Sequence, residues 1–219
     1  MSAFTADESR TACHLLLGQT FICPLTYPEL FQLLRDSEFV SAVNTTLNGL
    51  GYKLSQVGDA DNPEVFFCAV MNMDDQRDRQ HVEKRLLEMR DQIGAFIDFF
   101  RLVDHAGQGG VVSGGEVSFS KLLLAIEGHR PYLDQLRDLQ AHKLFDSSKN
   151  VTDNGERLKR VLKVMHDQGY LVRRNASSTV YAFTGKIAYL QRIMSWLADH
   201  HRIEVIKPED RSAFQEGLL

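Results

Sequence analysis

Cysteine is scarce. The three in 219 residues, Cys13, Cys23 and Cys68, are odd in number and irregular in spacing. They make neither a disulfide framework nor a zinc knuckle. As small apolar side chains they are expected in the core of a protein kept in a reducing cytoplasm. Long apolar runs are missing too. None approaches the roughly 18 residues that span a bilayer, so no membrane association is expected. Residues 1–10 are polar, with Asp7 and Glu8, and lack the basic and apolar stretches of a secretory leader.

Catalytic signatures are also missing. The one glycine-rich stretch, GQGGVVSGG at 107–115, has no Lys-Ser or Lys-Thr after its last glycine. It is therefore no phosphate-binding loop, and it reads as a flexible connector. TGKI at 184–187 lacks both the upstream glycine and the hydroxyl after lysine. The eight histidines are scattered, with no HExxH and no paired histidine–cysteine spacing, so no metal site is expected. There is no GxSxG, and no cysteine has a catalytic motif around it. Asp98 and Asp104 flank apolar residues and read as solvent-face charges. Neither enzyme activity nor a cofactor is expected.

What is present organises well. A hydrophobic content of 43% and a charged content of 25% fit a soluble globular protein, one large domain or two small ones. A first helix is expected over 11–19. Thr26, Pro28 and Glu29 then have the spacing of a cap, a first-turn proline and a capping-box acid. A third helix, with Phe39, Val40, Val43 and Leu47 at helical spacing, ends at Gly49-Leu50-Gly51. Two strands follow, over 52–57 and 64–71, around a turn cluster. This order is that of a winged helix-turn-helix.

Residues 74–105 form the longest helical pattern. Its apolar stripe includes Val82, Leu86, Met89, Ile93, Phe96, Ile97, Phe100 and Val103. The stripe reads as core rather than partner groove, with part of it joining two domains. Further helices are expected over 118–128, over 131–145 (unless this is an insertion), after a cap at Asp153, and over 186–201. The helix carrying Leu158, Val161, Leu162 and Met165 stops at Gly169, and a second hairpin follows. The tail after Pro208 is polar and expected to be loose.

The pattern repeats. Val40, Val43, Leu47 and Gly51-Tyr52 match Leu158, Val161, Met165 and Gly169-Tyr170 at a constant offset of 118 residues. The expected architecture is mainly α with small β-hairpins (α+β), as tandem winged helix-turn-helix domains joined by a long helix. Residues 1–73 form the first, 74–106 the link, 107–206 the second, and 207–219 the tail. The copies differ in charge. Residues 8–73 carry a net charge of -4, whereas residues 156–192 carry +6 in a chain of net charge -4. The candidate DNA contacts are Lys159, Arg160 and Lys163 on the helix, Arg173 and Arg174 beside the hairpin tip, and Lys186. They read either as phosphate contacts, which confer affinity without sequence choice, or as a solvated basic face. Few Asn or Gln side chains are available on that helix to read adenine edges.

Tandem winged helices with a linking helix and no catalytic motif resemble the kite proteins, which partner kleisins in SMC complexes. Size and order look most like the MukE/MksE subunits of bacterial condensins. The similar stretches are EFVSAVNTTLNGLGYKLSQVGDADNPEVFFCAVMN, MRDQIGAFIDFFRL and RLKRVLKVMHDQGYLVRRNASSTVYAFTGKI, which touch most of residues 38–187. The resemblance implies a nucleoid-associated homodimer, with the first winged helix as the dimerising, protein-facing one. It implies binding to a MukF/MksF-like kleisin and through it to a MukB/MksB-like SMC ATPase that loops DNA. The role would be chromosome condensation and partition, or plasmid defence, with non-specific double-stranded DNA contact. The family has no catalytic residues to carry over. The competing reading is a free winged-helix transcriptional regulator.

Overall fold

A computed structural model describes residues 4–107, 110–148, 151–175 and 177–201. The expected loose tail, 207–219, lies outside the described residues. The chain is mainly helical, with a two-stranded and a three-stranded antiparallel sheet. No helix among the described residues is long and apolar enough to cross a membrane.

The first core is built from α1 (Ala6–Leu17), α2 (Pro28–Leu33), α3 (Ser37–Asn48), β1 (Tyr52–Gly58) and β2 (Pro63–Val70). Helix α1 starts earlier than the 11–19 reading because Thr5 and Glu8 form a reciprocal capping box. The Thr5 amide donates to Glu8 at 2.6 Å, and the Glu8 amide to the Thr5 hydroxyl at 3.3 Å. Thr26 does not cap α2, whose N-cap is Tyr27 without a side-chain bond. Its hydroxyl instead closes the preceding loop, donating to the Phe21 carbonyl at 3.1 Å and accepting from the Cys23 amide at 3.1 Å. Asp36 caps α3 by accepting from the Glu38 and Phe39 amides. Leu16, Ile22, Phe39, Val43 and Leu47 are fully buried, each contributing about 1.5–3 kcal/mol of burial free energy. Cys13 and Cys23 are buried and Cys68 is half-buried, all as free thiols, and burial pushes the Cys13 and Cys68 thiols up.

Helix α4 (Gln76–His105) has 30 residues, about 45 Å at 1.5 Å per residue. Its two ends differ. Ala95, Phe96, Phe99, Leu102 and Val103 are buried in the second core, whereas Val82, Leu86 and Met89 near the start are only half-buried and Leu87 is exposed. So the stripe is core for its later part only. Asp98 is not a solvent-face charge. It accepts from or pairs with His142 Nε2 at 2.9 Å, and its backbone carbonyl takes Gln135 Nε2 at 3.1 Å.

The second core adds β3 (Glu116–Ser118), α5 (Phe119–Gly128), α6 (Arg130–Ala141), a 3-10 turn (Lys143–Ser148), α7 (Asn154–Asp167), β4 (Leu171–Arg173), β5 (Val180–Phe183) and α8 (Lys186–His201). Sequence reasoning missed β3, which pairs with β5 through Val117 opposite Tyr181. The described part of the glycine connector is not loose. The Gly114 amide donates to the Phe183 carbonyl at 2.8 Å, and the Phe183 amide to the Gly115 carbonyl at 2.9 Å. The first core has the same feature in miniature, an isolated bridge between Ile22 and Phe66 of β2. In both cores a short extended piece precedes a helix and pairs with the last strand. The sequence repeat also holds at Gly51 and Gly169, with φ of 82° and 77°, a conformation that favours glycine where each helix turns into its hairpin. The copies part at α6 and the 3-10 turn, which have no counterpart in the first core.

The two cores meet where the first hairpin packs on α8. Tyr189 packs at a tilt against Phe21 and Phe67, with ring centroids 4.9 and 4.8 Å away. Gly185, just before α8, has no room for a side chain. A Cβ there would lie 2.7 Å from the Glu64 carbonyl oxygen and from Val65 Cβ, and 2.8 Å from Cys23 Cβ.

Candidate nucleic-acid interface

Helix α7 and the hairpin β4–β5 carry five of the six candidate residues. Asp153 caps α7, its carboxylate accepting the Glu156 amide at 2.7 Å. Leu158, Val161, Leu162 and Met165 bury one face of the helix, which leaves Lys159, Arg160 and Lys163 exposed on the other. The apolar periodicity of α7 therefore places the basic residues outward.

Much of that charge is matched nearby. Lys159 Nζ donates to Glu156 Oε1 at 2.6 Å, which holds its ammonium above the usual lysine range. Lys163 pairs with Asp167, and the bond holds the Asp167 carboxyl below its usual range. Both are exposed pairs at helical spacing, screened by solvent and able to exchange for a phosphate. At the hairpin, the exposed Arg174 pairs with Glu116 of β3, and Arg173 lies over the Tyr181 ring at 5.3 Å. Arg173 and Arg174 are adjacent, but only Arg173 belongs to the strand. Arg174 begins the tip, followed by Asn175, and the exposed Ser177 and Thr179 lie across the turn.

Lys186 stands apart from the other five. Its Nζ lies inside the contact between the cores, 4.4 Å from the Tyr170 ring centroid and 5.3 Å from that of Phe21. It donates to the Gln168 carbonyl at 2.7 Å. Burial, with Arg85 as a second cause, lowers its pKa to about 8. Tyr170 beside it is pushed well above the usual tyrosine range, also by burial. Lys186 thus stays with the junction rather than with the exposed basic face.

Glu116 is the residue that sequence reasoning overlooked here. It belongs to a three-residue strand beside the glycines, and only the β3–β5 register brings it to Arg174. Among the described residues no group of three or more His, Cys, Asp or Glu could hold a metal ion. The chain matches no known family description and no curated protein.

Proposed function

We propose that the chain is a tandem winged-helix protein of the kite type, a non-catalytic accessory subunit of a bacterial condensin-like SMC complex. In this reading it works as a homodimer on a kleisin, in the cytoplasm at the nucleoid, and adds weak DNA contact without sequence choice. The observation that carries the reading is the doubled element order. Helix, short extended piece, helix, helix and hairpin occur twice, the second time with α6 and a 3-10 turn inserted between the two inner helices, and in each copy the extended piece pairs with the last strand, at Ile22–Phe66 and Val117–Tyr181. We read this order as that of a winged helix, in which the last helix before the hairpin and the hairpin itself can meet DNA.

The charge asymmetry supports a division of labour. The first hairpin is packed against α8 and carries Asp59 and Asp61 at its turn. The second carries Arg173 and Arg174 in the open. With Lys186 at the junction, the proposed DNA contacts reduce to Lys159, Arg160, Lys163, Arg173 and Arg174. Pairing of three of these with carboxylates argues for modest affinity, since a phosphate must displace Glu156, Asp167 or Glu116.

Affinity purification from native lysate tests the reading. Co-recovery of a kleisin and a large coiled-coil ATPase is expected. Recovery of neither, together with preference for one duplex of about 10³-fold or more over random DNA, would replace the subunit by a free regulator.

A further inference from the structure

We propose that the cleft between the first hairpin and α4 binds a small organic anion, a carboxylate carried on an apolar or aromatic body, with Arg85 holding the head group. The cleft has a volume of about 240 Å³. Its walls are apolar, with Leu16 and Phe67 on one side and Val82, Leu86 and Met89 on the other. One permanently charged cation, Arg85, lines it together with the imidazole of His81, and no Asp or Glu does.

Arg85 is the reason to expect an anion. It is half-buried, and among the described residues it makes no hydrogen bond or ion pair. Other arginines of the same helix are engaged: Arg79 donates to the Met73 and Asp74 carbonyls, Arg90 pairs with Asp91, and Arg101 with Asp98. The charge of Arg85 is felt across the junction, where it disfavours protonation of Lys186 and favours ionisation of Tyr170 and Tyr189. The Arg85 guanidinium therefore faces the cleft without a counter-charge from the lining.

The two halves of the proposed ligand follow from the two halves of the cleft. A neutral apolar molecule leaves Arg85 unpaired, and a cation is repelled. A small hydrophilic anion pairs Arg85 but leaves the apolar walls wet. Only an amphiphile with an acidic head satisfies both. This inference concerns a different face from the proposed DNA contacts and stands or falls separately from them.

Calorimetric titration of the full chain tests it, with octanoate and 2-naphthoate as probes against octylamine, octanol and acetate. Octanoate and naphthoate are expected to bind and octylamine not to. Arg85→Gln is expected to weaken octanoate by about tenfold or more, and Arg85→Lys to recover part of the loss. Arg90→Gln, whose side chain is paired with Asp91 and does not line this cleft, should bind octanoate as the unaltered chain does. Octanol binding as tightly as octanoate would overturn the proposal, leaving an apolar hole only. Acetate binding as tightly would also overturn it, leaving an adventitious anion only. No binding by any probe, or an unchanged affinity in Arg85→Gln, would do the same. The contrast between octanoate and octylamine needs no variant, so a folding defect in Arg85→Gln would not blunt the test.

Discussion

The hairpins β1–β2 and β4–β5 follow the same Gly-Tyr exit from a helix, yet they face different worlds. The first is long, with Phe66 in the first core and the opposite side packed on α8, where Phe67 meets Tyr189. The second is short, holds β3 on one edge, and leaves its basic tip exposed. The local sequence specifies a hairpin in both places. What each hairpin does is decided by what covers it, which for the first depends on residues more than a hundred positions away and for the second on a strand some sixty positions away. A glycine with no room for a side chain and a lysine that gives up solvent mark the covered one. Two arginines mark the open one.

The comparison breaks most directly at Gly185. Any side chain there meets backbone and Cβ atoms that cannot swing aside. Gly185→Val is expected to cost about 3 kcal/mol and to pry the first hairpin from α8. Thermal unfolding should change from one transition to two, and small-angle scattering should show a larger particle. A single transition at the original midpoint would mean the hairpin is not held there.

Lys186 gives the next largest effect. Its folded pKa of about 8 is below the ordinary 10.5, so the unfolded chain binds more protons between these values. Stability contributed by this residue is therefore lowest below pH 8 and rises as pH climbs toward 10.5, by up to about 3 kcal/mol. The ring faces and the Gln168 carbonyl favour the ammonium and oppose that loss. Urea unfolding of the natural chain and of Lys186→Met should diverge in this direction, the natural chain gaining on the variant from pH 8 to 10. A constant difference would show that the ammonium is not desolvated.

The open hairpin is probed by charge reversal. Arg173→Glu with Arg174→Glu should weaken binding to a random duplex by about tenfold and reduce the slope of log affinity against log salt by about 1–2. Fluorescence anisotropy across a salt series reads both. Asp59→Lys with Asp61→Lys on the first hairpin serves as the counterpart and should change neither much. Equal effects from the two tips would abolish the distinction drawn between them.

The smallest effect concerns α6, present only in the second core. Gln140 is buried there, and its Nε2 has no hydrogen-bond partner among the described residues. Gln140→Met should raise stability by about 1 kcal/mol, seen as a higher urea midpoint. A loss of stability instead would mean that the amide is partnered after all.

Local patterns were legible where local forces decide. The apolar spacing of α3 and α7, the cap at Asp153 and the left-handed glycines before Tyr52 and Tyr170 all follow from neighbours in sequence. The pairs Glu156–Lys159 and Lys163–Asp167 sit at helical spacing and were readable in principle. So was the Thr5–Glu8 box, which lies within the polar stretch of residues 1–10. Strand β3 was not legible, because its three residues are specified by a partner 64 positions away, as Val117 to Tyr181. Nor was the fate of Lys186. It follows a strand that ends the basic hairpin, and nothing nearby in sequence announces that Phe21 will cover it. The half-covered start of α4 was obscured in the same way, since one continuous apolar stripe serves two different neighbours.

The bonds at the base of the basic hairpin have a use for the experimenter. The Thr184 amide donates to the Tyr170 carbonyl at 3.0 Å, and the Thr184 hydroxyl to the Gly169 carbonyl at 2.6 Å. Thr184 is thus tied to the hairpin on one side and adjoins Gly185 and the first core on the other. Its amide proton is a single-residue gauge: slow exchange with deuterium reports both a closed hairpin base and an intact junction. Exchange accelerated by Gly185→Val but not by charge reversal at the tip would locate a loss of order without a second structure.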